Sequence, residues 1–176
     1  MARIPVIDLF AGPGGLGEGF SAFPNASGSK AFDLKLSVEK DQHAHETLEL
    51  RSFFRQFPSG EAPQEYYDLI RSGNTDAFTK KKDLLFRQFP EESARAAREA
   101  WRAALGEIPV TVLDERIRAE IKGNRNWVLI GGPPCQAYSV VGRVRNGGVD
   151  ENDRRVYLYK EYLKIIAKHK DRKSVV

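Results

Sequence analysis

One cysteine occurs in the 176 residues, Cys135, in the stretch GGPPCQAYS at the end of the apolar run Trp127-Val128-Leu129-Ile130. A lone thiol cannot form an internal disulfide or a thiolate metal cluster, so it is either inert core filler or a nucleophile. Pro133 and Pro134 remove two backbone donors and restrict the residues before them, which stiffens the segment and holds the thiol in one direction. Stiffness is of no use to a core residue. It matters to a nucleophile.

A second constellation lies at the start of the chain. In DLFAGPGGLGEGF, Gly12, Gly14 and Gly17 have G-x-G-x-x-G spacing after an apolar run, and an acid, Glu39, follows about 20 residues on. Glycines allow a backbone to approach a ligand closely, and an acid at that distance accepts hydrogen bonds from ribose hydroxyls. Asp8 separates two ligand classes. A carboxylate beside the glycines repels a pyrophosphate and favours an amino group and a cationic sulfonium, so S-adenosylmethionine fits better than NAD. The plainer alternatives are a tight glycine turn, with Asp8 as its cap and Glu39 as a solvated strand end.

The elements that must carry these residues alternate. Ile4–Phe10 reads as a buried strand, Gly15–Phe20 as a short helix, Ala31–Val38 as a second strand and Gln42–Phe54 as a second helix. This order predicts parallel pairing and a doubly wound α/β sheet. Residues 52–108 change character: Glu61–Ile70 and Glu91–Leu105 look helical, and the whole reads as a helical insertion. FRQFP occurs at Phe54–Pro58 and again at Phe86–Pro90, where two helices meet proline. The α/β pattern returns with a helix over Leu113–Ile121 and a strand over Trp127–Ile130 that delivers Cys135. A long loop over Val140–Asp153 then precedes a helix with Tyr159, Tyr162, Leu163 and Ile166 on one face, and Val175-Val176 begin a further strand.

Composition sets the class. With 41% hydrophobic and 30% charged residues the chain reads as one globular domain, without an apolar run of membrane-spanning length or a signal peptide, hence cytoplasmic. The net charge is +4, and the excess of Lys and Arg falls after residue 108, beside Cys135. That is the pattern of a polyanion-binding edge or of a solvated helix face. His43 and His45 are two apart on a helix and face different ways, so no metal is expected there.

DLFAGPGGLGEGF and GGPPCQAYS together resemble the first and fourth signature motifs of the cytosine-C5 DNA methyltransferases, in that family's order. SVEKD resembles its ribose-binding acid, and Asp153-x-Arg155-x-x-Leu158-Tyr159 resembles the pattern that closes its catalytic loop. The resemblance implies a Rossmann-like S-adenosylmethionine-dependent methyltransferase fold, a partial doubly wound sheet with the helical insertion, over residues 1–176. It implies that Cys135 adds to C6 of a cytosine flipped out of double-stranded DNA, in the DNA methylation chemistry of restriction-modification. Phe10, Ala11, Gly12, Gly14, Gly15 and Leu16 would surround the methionine moiety, Glu39 the ribose, Gly132 and Pro134 the pocket between base and cofactor, and Leu158 the cofactor. Gln136 and Ser139 would touch the nucleic acid near the flipped nucleotide, and Arg143 and Arg145 its phosphates, unless the two arginines are simply solvated.

Some features depart from the pattern. Lys40 stands where a bulky apolar residue packs on adenine, and only Asp114 offers itself as the acid for the adenine amine. The family's Glu-Asn-Val motif, its later arginine motif and its target-recognition region do not occur, so the sequence reads as an N-terminal fragment or one half of a split enzyme that needs a complementary C-terminal half. An RNA-directed relative, a non-catalytic cofactor-binding scaffold and a nicotinamide-dependent oxidoreductase are the competing readings.

Overall fold

The computed structural model describes residues 2–73, 76–132, 158–169 and 174–175, with Asp76 and the last pair given through their backbone. Among the described residues five strands form one sheet: β1 (Ile4–Leu9), β2 (Phe32–Glu39), β3 (Ala100–Arg102), β4 (Val128–Gly131) and β5 (Ser174–Val175). Their order is β3-β2-β1-β4-β5, and every neighbouring pair is parallel. The described helices are α1 (Gly15–Ala22), α2 (Gln42–Arg55), α3 (Gln64–Arg71), α4 (Asp76–Gln88), α5 (Pro90–Glu99), α6 (Val110–Ile121) and α7 (Leu158–His169). The expected α/β fold, Rossmann-like and doubly wound, is what the chain adopts.

Parallel strands need cover on both faces, which is why β1 and β4 are nearly continuous apolar runs. On one face Ile7, Leu9, Leu36, Val38 and Leu129 pack with Leu113, Ile117 and Ile121 of α6 and with Tyr162 and Ile165 of α7. On the other, Val6, Leu34, Val128 and Ile130 pack with Phe20 of α1. Each fully buried aliphatic side chain contributes roughly 1.5–3 kcal/mol, so the central strands are the rigid part of the molecule. A register shift between Val6 and Ile7 keeps both faces apolar: Val6 pairs with Leu34, Ile7 with Leu36, and Asp8 with Ser37.

A second, aromatic core forms away from the sheet. Phe53 of α2 is fully buried among Tyr66, Leu69, Leu85 and Ala96, and its ring stacks on Phe86 with centroids 4.8 Å apart. The helical character read for residues 52–108 is thus present as the end of α2 and α3 to α5. One element differs from the sequence reading. The helix expected over Glu91–Leu105 stops at Glu99, and Ala100–Arg102 turn directly into β3 beside β2. Alanine and arginine favour helix locally, but the unpaired edge of β2 captures the segment: Ser37 registers with Ala100 and Glu39 with Arg102. Pro90, expected to end a helix, also begins α5 at its first position, where its missing N–H has no intrahelical partner to lose.

The face of α7 is also rotated from expectation. Tyr162 and Ile165 are its buried residues, whereas Tyr159 and Leu163 are exposed.

Candidate active site

The strand order places β1 between β2 and β4, with α1 covering one face and α6 the other. This is a topological switch point, the place at the carboxyl ends of the strands where open α/β sheets bind their ligands. The glycine turn leaves β1 there. Gly131 ends β4 opposite Leu9, so Gly132 leaves the sheet next to the start of the turn.

The turn is held from three sides by backbone groups and two side chains. Ala11 N–H donates to the Val38 carbonyl at 3.0 Å, and Gly14 N–H closes the turn on the Ala11 carbonyl at 2.9 Å. Gly12 N–H donates to Glu39 Oε2 at 2.8 Å, while Asp41 N–H donates to Glu39 Oε1 at 2.7 Å. Glu39 therefore ties the glycine turn to the start of α2. Arg51 of α2 donates to the Pro13 carbonyl at 2.9 Å. Phe10, a non-glycine residue, is held at φ +57° and packs against the main core, a conformation that costs on the order of 1–3 kcal/mol and persists only where the surroundings impose it.

The glycines divide by role. Gly14 has φ +87°, and a Cβ there would come 2.8 Å from Leu48 Cδ1, so this residue packs inward against α2. Cβ atoms built on Gly12 and Gly15 meet nothing within 4 Å. That outer face is open to a ligand, with half-exposed Leu16 beside it and with the first turn of α1 uncapped by any side chain.

Asp8 lies inside, beneath α1, and not on the open face. Its side chain is 1% exposed, and Oδ2 sits 3.2 Å from a Cβ built on Gly17. Neither oxygen has a hydrogen-bond partner among the described residues. Burial pushes its carboxyl up to about 7; Arg55 opposes the rise, and the Glu99 and Glu39 carboxylates add to it. Arg55 is the cation of this layer, paired with Glu18 and Glu99, and burial raises Glu99 in the same way.

The remaining candidates fall in several places. Phe10, Ala11, Gly12, Gly14, Gly15, Leu16 and Glu39 converge on the turn, and Gly132 is the exposed residue after β4. Leu158 begins α7 and reaches the loop after β3, 3.6 Å from a Cβ built on Gly106. Cys135, Pro134, Gln136, Ser139, Arg143 and Arg145 lie outside the described residues, as do Asp153 and Arg155. Lys40 is exposed. Asp114 is not at the end of the third strand: it is buried on α6, where it accepts from Lys168 and, at 2.9 Å, from His169 of α7. His45 hydrogen-bonds to the Ala100 carbonyl at 3.1 Å and ties α2 to β3. Among the described residues no group of His, Cys, Asp and Glu has the makings of a metal site, and no helix is long and apolar enough to cross a membrane.

Sequence reasoning missed Arg51 and Arg55. Their partners are 38 and 37 to 44 positions away, so no local spacing announces them.

Residues 92–173 match the sequence model of a family described as C-5 cytosine-specific DNA methylase. The chain is 30% identical over 181 residues to a type II methyltransferase of Bacillus paralicheniformis, an alignment covering 97% of this chain and 39% of that protein. It is 25% identical over 160 residues to a type II methyltransferase of Haemophilus parahaemolyticus, covering 91% of this chain and 28% of that one. The chain thus spans well under half the length of these relatives. No solved structure matches it. The resemblance drawn from the motifs is borne out by these matches.

Proposed function

We propose, from this kinship with the C-5 cytosine-specific DNA methylases, that the chain is the cofactor-binding and nucleophile-bearing part of an enzyme that methylates C5 of cytosine in double-stranded DNA. One observation carries the reading: β1 and β4 are neighbours at the switch point, with Leu9 opposite Gly131, so the glycine turn and the strand that precedes Cys135 in the sequence end side by side. A ligand on the turn and a base presented to the thiol would then be adjacent.

The residues present fit S-adenosylmethionine, because the turn has an open outer face over Gly12 and Gly15 and a carboxylate, Glu39, alongside. When bound, that cofactor supplies an electrophilic methyl group on a sulfonium. We assign Phe10, Ala11, Gly12, Gly14, Gly15 and Leu16 to the methionine side, and the lone pairs of Glu39 not taken by Gly12 and Asp41 to the ribose hydroxyls. Asp8 acts from beneath the turn. Gly132 and Pro134 separate base from cofactor, and Leu158 closes over the cofactor from α7.

Cys135 as thiolate adds to C6 of the flipped cytosine, which moves electron density onto C5. With the cofactor held at the turn, its methyl group would pass to C5 as the methyl–sulfonium bond breaks and leaves a neutral thioether; the C5 proton would go to a solvent base as the sulfur–C6 bond breaks and returns the Cys135 thiolate. Gln136 and Ser139 hold the strand around the gap, and Arg143 and Arg145 pair with phosphates. A complementary carboxy-terminal segment completes the enzyme, supplying the acid for the ring and reading the target sequence.

Two measurements test this. Calorimetry with S-adenosylmethionine and with NAD should show binding of the first alone; preferential binding of NAD overturns the reading. A duplex containing 5-fluorocytosine, mixed with this chain and with the remaining carboxy-terminal length of the Bacillus relative, should trap a covalent adduct. Cys135→Ser should abolish it, and an equal adduct with that variant would remove the thiol from the mechanism.

A further inference from the structure

Beneath the glycine turn lies a buried layer of charged groups. Asp8 points from β1 under α1, and neither of its carboxyl oxygens has a hydrogen-bond partner among the described residues. The charges around it come from each element packed there. Arg55 of α2 attracts a negative charge on Asp8, whereas Glu99 of α5 and Glu39 of β2 repel one. Glu18 of α1 shares Arg55 with Glu99. The register neighbours of Asp8 on the adjoining strands, Ser37 and Ile130, carry no charge. One guanidinium therefore meets three carboxylates before Asp8 ionises, and its ion pairs are already formed. Burial first, and then Glu99 and Glu39, push the Asp8 carboxyl up to about 7 against the pull of Arg55. Asp8 keeps its proton because the layer lacks a second cation.

A bound sulfonium is such a cation, and the turn would bring it within electrostatic range. Asp8 Oδ2 is 3.2 Å from a Cβ built on Gly17, hence within about 4.7 Å of the Gly17 Cα. Gly15 lies two residues earlier on the same helix, about 5.4 Å away, and a ligand atom touching its open face adds about 4 Å. The whole path is at most roughly 14 Å. At an effective dielectric of about 20, a unit charge at that distance shifts a proton equilibrium about sevenfold. The demethylated cofactor carries a neutral thioether at the same place and exerts no such pull.

We propose, resting on the methyl-transfer reading above, that Asp8 distinguishes the methyl donor from its demethylated product: its carboxyl releases a proton to solvent when a sulfonium occupies the turn, and takes one back when the sulfur there is a neutral thioether. No covalent bond other than the carboxyl O–H changes, and water carries the proton both ways. Where Asp8 is ionised, the turn holds the donor in preference to the product. Where Asp8 stays protonated whatever is bound, that preference disappears. The same buried carboxyl therefore favours loading of fresh cofactor and release of spent cofactor above about pH 7.

The test is calorimetry on the whole chain with S-adenosylmethionine and with S-adenosylhomocysteine, at pH 5 and pH 8, for the wild type and for Asp8→Asn. Both ligands carry the same amino and carboxyl groups, so the ratio of their dissociation constants isolates the sulfonium. In the wild type that ratio should move about sixfold towards the donor between pH 5 and pH 8, and in Asp8→Asn it should stay constant. A second measurement needs no variant. Titrations of the wild type at pH 6.5, in buffers of different ionisation enthalpy, should show about half a proton released per S-adenosylmethionine bound and none per S-adenosylhomocysteine. An unchanged ratio in the wild type, an equal change in a folded Asp8→Asn, or the same proton count with both ligands overturns the proposal. Failure to bind S-adenosylmethionine at either pH sinks this proposal together with the methyl-transfer reading. Binding with a preference that ignores pH sinks this proposal alone, so the two failures are distinct.

Discussion

Gly131, the last residue of β4, lies against Leu9 of β1 so closely that a Cβ built on it would come 2.1 Å from the Leu9 carbonyl oxygen. Its φ of +153° adds a backbone conformation that side chains rarely adopt. Both strands must therefore separate before any other residue fits there.

Gly131→Ala is expected to destabilise the fold by at least ~3 kcal/mol, since the obstacle is backbone and cannot rotate away. At 2–4 °C per kcal/mol for a chain of this size, the melting temperature should fall by about 6–12 °C. Gly12→Ala meets nothing within 4 Å, so its cost is limited to the roughly 1–2 kcal/mol of a side chain at φ +56°, and it should keep the fold better than Gly131→Ala while losing cofactor affinity. Thermal melts of the two variants make the comparison.

Arg51→Ala removes the hydrogen bond to the Pro13 carbonyl and frees one side of the glycine turn. One such bond is worth ~0.5–1.5 kcal/mol, so S-adenosylmethionine affinity should drop about three- to tenfold with little change in melting temperature. Glu39→Gln should do more. An amide cannot accept from both Gly12 and Asp41 through two oxygens, and one N–H is left facing an NH₂ group. Calorimetry on the two variants should rank Glu39→Gln below Arg51→Ala.

Asp8 makes stability fall as pH rises. With a native pKa of about 7 against an ordinary value of 3.8, the folded chain holds a proton between those values that the unfolded chain has released. The contribution is complete below about pH 4 and is lost through about pH 7. Asp8→Asn removes the titration, so the melting temperature of the variant should change less between pH 5 and 8 than that of the wild type. A larger decline in the variant would exclude Asp8 as the source.

Asp114 acts in the opposite sense. Burial by itself raises its carboxyl, but hydrogen bonds from Lys168 and His169 outweigh that and hold it below the usual range. Its contribution is present at neutral pH and is lost as pH falls through the lowered value. Asp114→Ala should cost about 1–3 kcal/mol, less than the ~3–5 of a wholly buried pair because Lys168 is half exposed. Hydrogen exchange should show α7 opening first, since the ion pair joins it to α6.

The glycine turn could be read before folding because its signals are local. Glycine spacing and a strand-end acid each concern residues close together in the chain, and Gly12 and Glu39 do meet in space. The readings that went astray concern residues whose state depends on distant partners. Ala100–Arg102 have helical propensity and become a strand only because β2 offers an edge. Asp114 had no local feature to distinguish an adenine contact from an ion pair with a helix 54 residues later. Asp8, adjacent to the turn in sequence, points to the opposite side of β1 because side chains alternate along a strand.

By itself, then, the sequence determined the alternation of strands and helices and the glycine turn, because backbone propensity and side-chain type are properties of short segments. Tertiary structure decided which segments are neighbours. It put β4 beside β1 so that the glycine turn leaves the sheet next to Gly131, and it enclosed Asp8 and Arg55 in one low-dielectric layer, since packing and charge act through space and not along the chain.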